Sequence, residues 1–480
     1  MSTNSHSHGP SSSNHYILKS SRTVLADGVG PAWVEVEDGT IITASRSTPP
    51  SQVPPSSKSS NNSAIEIRDL GDLILMPGLI DCHVHINEPG RTEWEGFDTA
   101  TYAAAAGGVT TLVDMPLNCS PVTTTAAHLK TKLDALGGKL HVDCAFWGGV
   151  IPQNASSAET LQGMVDAGVL GFKCFMVHSG IDEFPNATEA DLRRAMPIIA
   201  QSGLPLLAHA ELDLSGGGAK LPIPNKRSFR DFVASRPGIW ELDAIELLIR
   251  LSRETGCRVH IVHLSYAGAL PAIRAARAEG LPITVETCFH YLCLNMEDIP
   301  DGDTRFKCAP PIRERANNEH LWEALADGTI DFVVTDHSPA TPALKKLEEG
   351  NLESAWGGIS SLQYGLPLLW TEARKRGFDI PQISRLLSTN VAKFLGLSGT
   401  ELRLPHKGSI VSGAQADFVV WDPDGAVSPS PSDIRYKHKI SPYMGRPLTG
   451  KVHETILRGS TVFADGMIVG ELRGNAILRK

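Results

Sequence analysis

Residues 73–85 read LILMPGLIDCHVH, and this stretch decides the fold. An apolar run, broken by Pro77-Gly78 and Asp81, ends on His83 and His85. Side chains two apart in a strand share a face, so both imidazoles project the same way from the strand's C-terminal end. A lone His-x-His is a weak motif. At the end of a Gly-bounded apolar strand it is half of a metal site.

The pattern repeats outward from there. Between about residues 77 and 400, short apolar runs alternate with helix-like stretches such as ATEADLRRAMPIIAQSG and IWELDAIELLIRLSRETG. That alternation predicts repeated βα units around a parallel sheet. About eight units fit into ~320 residues, which predicts an α/β fold closed as a (β/α)₈ barrel. The two ends of the chain differ from the middle and resemble each other. YILKS, RTVLAD and AWVEVEDGTIITA near the start, and SIVSGAQADFVVW, KVHETILR and STVFADGMIVG near the end, read as short strands with Asp-Gly turns. Residues 16–76 and 401–480 are therefore expected to build one small β-sandwich domain, with the barrel of residues 77–400 inserted between them. Within it, residues 45–63 are a Ser/Pro-rich loop insert. Residues 1–15 are polar and expected to be a disordered tail, which makes its His6 and His8 a floppy pair rather than a metal site.

Three further barrel runs end in metal-binding side chains: LPLLAHA in His209, VHIVHLS in His263 and IDFVVTDHSP in Asp336. His260 lies nearer its strand's start and is read as structural, on the opposite face. Asp331 opens its strand on the other rim, and His337 should point away from Asp336. Lys173, in VLGFKCFMV, sits between Phe172 and Phe175, where burial opposes its charge. Two readings stay open for it: an ammonium reaching water at the strand end, or an amine converted by CO₂ to a carbamate with one oxygen for each of two metals.

Composition bounds the partners. The formal charge is −9 over 480 residues, which fits a small, uncharged substrate and argues against nucleic acid or an anionic membrane surface. No apolar stretch approaches the ~20 residues that span a bilayer. The N-terminus lacks the apolar run of a signal peptide. The eight cysteines form no CxxC pair and sit mostly in apolar stretches, as reduced thiols of a cytoplasmic protein would.

The order His-x-His, Lys, His, His, Asp resembles that of the cyclic amidohydrolases in the amidohydrolase superfamily, which include dihydroorotases, hydantoinases, dihydropyrimidinases and allantoinases. The resemblance runs from about residue 16 to 480. Locally, HVHINEPGRTEWEGFDTAT, GFKCFMVHSGIDEFP, ETCFHYLCLN, RFKCAPPIRE, TDHSPAT and WGGISSLQ look most like the allantoinase branch. The departures from its sister groups agree. Dihydroorotases carry an arginine where this chain has Asn87, and without it a substrate carboxylate loses its charge-assisted contacts. Hydantoinases and dihydropyrimidinases usually carry a tyrosine where this chain has His178, Ser-Pro-Pro where it has Ala309-Pro310-Pro311, and an asparagine around Gly358.

The resemblance implies two Zn²⁺ ions, although nitrogen and oxygen ligands also accept Co, Mn or Fe. By it, His83, His85 and Asp336 hold one ion, His209 and His263 the other, and carbamylated Lys173 bridges them. Asp336 is also the acid/base that serves ring opening of allantoin to allantoate. Asn118, Ser179, Cys308, Ala309, Ser338 and Gly358 become substrate-contact candidates. The resemblance further implies a homo-oligomer, a tetramer by analogy. The competing expectations are a dihydropyrimidinase or hydantoinase and, in another class, a non-catalytic dihydropyrimidinase-related scaffold protein, against which all six metal positions stand intact.

Overall fold

The computed structural model describes residues 15–47, 65–213, 221–399 and 404–479. The tail with His6 and His8, and nearly all of the Ser/Pro-rich insert, lie outside these residues. Eight parallel strands build the barrel: Leu79–Val84, Val109–Asp114, Asp143–Phe146 (continued by Gly148–Gly149), Phe172–Phe175, Leu206–His209, Val259–Ile261, Ile283–Cys288 and Phe332–Val334. Nearly every residue in them is buried. Helices cover one face and the barrel interior the other, which is why these strands read as continuous apolar runs. The ring closes where Val84 bridges His337 in parallel register and the His85 N–H donates to the His337 carbonyl at 2.8 Å.

The helix-like stretches fold as their ends dictate. Glu189–Ser202 opens on a capping box between Thr188 and Asp191 and stops at Gly203 (φ 69°). Ile239–Thr255 stops at Gly256 in the same left-handed conformation.

Strands from both ends of the chain share one nine-stranded sheet. The seam is the antiparallel pairing of Ile74–Pro77 with Phe418–Val427. Leu18, Val34, Val36, Leu75, Phe418 and Ile456 give this sheet a core of its own. The Asp-Gly pairs make the two-residue hairpin turns expected of them: Asp38 and Gly39 have φ of 48° and 79°, Asp465 and Gly466 of 48° and 85°. The fold is thus a (β/α)₈ barrel with a β-sandwich portion assembled from both termini.

A buried charge network ties sheet to barrel. Lys407 Nζ lies 2.8 Å from Asp143, at the start of the third barrel strand, and 2.5 Å from Asp417. Arg458 reaches Asp143 at 2.6 Å. Removing the one cation that both carboxylates share leaves buried negative charge uncompensated. Lys407→Met should cost about 3–5 kcal/mol of stability, read as a lower midpoint in denaturant unfolding, with the metal-binding rim intact.

Candidate metal centre

The five strand-end ligand candidates and Lys173 converge on the C-terminal mouth of the barrel, the rim on which (β/α)₈ enzymes build their sites. His83 Nε2 is 3.2 Å and His85 Nε2 is 3.5 Å from the same Asp336 oxygen. The ring of His263 lies 5.3 Å from that of His83 and 4.5 Å from that of His209, centroid to centroid. His209 stacks on Phe175 at 4.5 Å, and Lys173 Nζ sits 5.1 Å from the same phenyl ring. Asn87, Asn118, His263 and Asp336 all have positive φ, between 40° and 68°. Non-glycine residues in that region carry strain, and here they crowd around one site.

Electrostatics favour neutral donors. Burial pushes His85 and His263 well below the usual imidazole range, and it takes His209 down to about 4. Burial likewise lowers Lys173 to about 8 and raises Asp336. Lys173 Nζ and His263 Nδ1 are buried without a hydrogen-bond partner. Ligand atoms of His83, His85 and Asp336 lie within 4.8 Å of one another. Uncharged imidazoles, a carboxylate and an unanswered amine gathered at one rim are a donor set that fits divalent metal.

Two carboxylates behind the rings escape a reading based on strand ends. Glu286 accepts from His83 Nδ1 at 2.5 Å and lies 3.1 Å from His260 Nε2. Glu211 is 2.6 Å from His209 Nε2 and 3.0 Å from Arg236. Burial opposes the charge of both, yet Arg236 and His209 hold Glu211 near 2, and His83 and His260 hold Glu286 below the carboxylate range. Such partners fix the tautomer of a metal-binding imidazole. Glu211 had a signal in sequence, standing two residues after His209 on the same face. Glu286 had one too, as an acid inside ITVETC. His260 shares the Glu286 carboxylate with His83. Glu286→Gln should weaken metal affinity about 10–100-fold, measured by chelator competition.

The substrate-contact candidates divide. Asn118 Nδ2 lies 3.4 Å from His85 Nδ1, and its Oδ1 is buried without a partner. Ser338 and Gly358 pack together beside the segment that leads into Cys308 and Ala309: the Gly358 N–H donates to the Lys307 carbonyl, and a Cβ on Gly358 would stand 2.2 Å from the Ser338 carbonyl. Gly358 has φ 128°, so only glycine fits there. Lys345 fixes Gly358 by donating to its carbonyl. Ser179 spends its hydroxyl on the Ile181 and Phe184 carbonyls of its own loop. His178 turns outward, its side chain 52% exposed. His337 points away from Asp336, to Glu95 at 3.2 Å, and Asp331 sits on the opposite rim, bonded to the Val285 N–H.

Comparison with known proteins gives the chain a family. The model of the "Amidohydrolase family" matches residues 74–462. The chain is 45% identical to "Allantoinase" of Streptomyces avermitilis, over 97% of this chain and 98% of the relative. It is 48% identical to "Allantoinase, mitochondrial" of Aquarana catesbeiana, over 79% and 76%. Among solved structures, the L-hydantoinase (dihydropyrimidinase) of Arthrobacter aurescens superposes with a TM-score of 0.84 at 29% identity, covering 97% of this chain and 99% of that one. The chain belongs to the amidohydrolase family, and within it to the allantoinase branch.

Proposed function

We propose that the protein is an allantoinase, opening the hydantoin ring of allantoin to give allantoate, a step of purine catabolism. One observation carries the hydrolytic reading: four histidines, a lysine and an aspartate from five different barrel strands meet at one mouth. His83, His85 and Asp336 would hold one divalent ion and His209 and His263 a second, with Zn²⁺ the first choice and Co, Mn or Fe also compatible with these donors. Lys173 would reach both after its amine adds to CO₂, forming an N–C bond and releasing a proton. Its burial and its partnerless Nζ support that reading. When bound, the ions supply Lewis acidity and bring the pKa of a water down to about 7.

The residues then do the rest. Asp336 accepts the proton of the water whose oxygen attacks the ring carbonyl carbon. As the ring C–N bond breaks, Asp336 returns that proton to the departing nitrogen, so proton and electron pair balance. Glu286 and Glu211 hold the imidazoles in register.

The substrate choice rests on a neutral rim. Asn87 is buried, with its Nδ2 3.4 Å from the Pro339 carbonyl and its Oδ1 without a partner, so this position offers no charged clamp for a substrate carboxylate. The structural likeness to hydantoinases keeps dihydropyrimidinase or hydantoinase activity as the second reading. Turnover of allantoin, hydantoin and dihydrouracil, compared side by side, decides between them. Allantoin should dominate kcat/KM, and a preference for dihydrouracil would overturn the assignment. Absence of both turnover and bound metal would instead favour a scaffold role. No helix among the described residues is long and apolar enough to cross a membrane. A cytoplasmic homotetramer completes the proposal, the eight free, buried cysteines supporting a reducing compartment. Light scattering at four chain masses tests the assembly.

A further inference from the structure

One buried histidine takes no part in the chemistry above. His290 lies in the short helix Phe289–Cys293, which follows the seventh barrel strand, and it is completely buried. Neither of its ring nitrogens has a hydrogen-bond partner. An imidazole carries at least one N–H in either protonation state, so the fold has buried a donor and left it unanswered, which is costly. The ring is aimed at the metal centre. A nitrogen of His290, the Cys288 thiol and a carboxylate oxygen of Asp336 lie within 4.8 Å of one another. Tyr291 packs edge-on against the His290 ring with centroids 4.2 Å apart, and the Tyr291 hydroxyl is itself tied to the Pro310 carbonyl at 2.7 Å. That packing limits the rotation of the imidazole.

We propose that His290 is a positioning residue for Asp336, its N–H donating to the carboxylate directly or through a single water. The two imidazoles His83 and His85 already approach one Asp336 oxygen. A donor from the His290 side fixes the plane of the carboxylate, and so the path along which the proton is taken and returned. A charge-assisted hydrogen bond of this kind is also stronger than a neutral one. The inference rests on the reading of Asp336 as the proton carrier.

The test uses the metal-loaded full-length protein with His290→Leu and His290→Gln. Leucine keeps bulk without a donor, and glutamine keeps an N–H. Expected for His290→Leu is a fall in kcat of about 10–100-fold, with KM for allantoin nearly unchanged. His290→Gln should recover most of that loss. Metal content by elemental analysis, and the unfolding midpoint in EDTA, should match the parent protein in both variants. An unchanged kcat in His290→Leu overturns the proposal, as does equal impairment of the two variants. Loss of a metal ion from His290→Leu overturns it too, making His290 a ligand. Failure of the underlying reading shows separately, as normal turnover in Asp336→Asn whatever His290 does.

Discussion

Lys173→Ala is expected to strip the centre of metal and to lower turnover at least about a thousandfold, since the ions that Lys173 would help to hold would supply the Lewis acidity for hydrolysis. The lysine is fully buried, its amine has no partner, and burial draws its pKa down to about 8. Under the proposed mechanism, truncation removes the side chain that would reach both histidine pairs after reaction with CO₂. Short carboxylic acids should restore part of the metal content and activity, because a free carboxylate offers two oxygens in the same gap. Elemental analysis and allantoin turnover, with and without added acetate or propionate, check this. An active, metal-loaded Lys173→Ala would sink the carbamate.

The second large effect belongs to Asp336. Asp336→Asn preserves shape and one oxygen that could bind metal while removing the proposed proton carrier. It should keep at least one metal ion per chain yet lose about 10²–10⁴ in kcat, the range for general acid–base groups. Single-turnover rates and metal analysis on the same preparation separate the two roles. Normal turnover would remove Asp336 from the proton path.

Most of the centre is legible in sequence because parallel barrel strands all finish at one rim. Any apolar run ending in His or Asp therefore declares its address. What is hidden follows from where strands stop. The strand before His263 ends at Ile261, and His263 itself is left-handed at φ 40°. Alternation therefore fails between His260 and His263, and His260 ends up beside the Glu286 that orients His83. The fourth strand ends at Phe175. By position 178 the chain is a loop, and counting five residues on from Lys173 no longer predicts which way a side chain faces. Lys173 was legible as a misfit, but its bridging role came from resemblance. His290 follows its strand by two residues inside a turn of helix, where no strand period points to Asp336.

The sheet shared by both termini has a consequence for how the molecule is made. Ile74–Pro77 leaves the ribosome with no partner on one edge until Phe418–Val427 follows, about 340 residues later. At roughly 5–20 residues per second, that is tens of seconds during which buried-to-be residues such as Leu75 and Met76 stay uncovered. The barrel can close in that interval, but the molecule cannot be finished from its beginning. Strands made late complete strands made early, so a chain that stops short of Phe418–Val427 presents a bare, sticky β-edge to its neighbours.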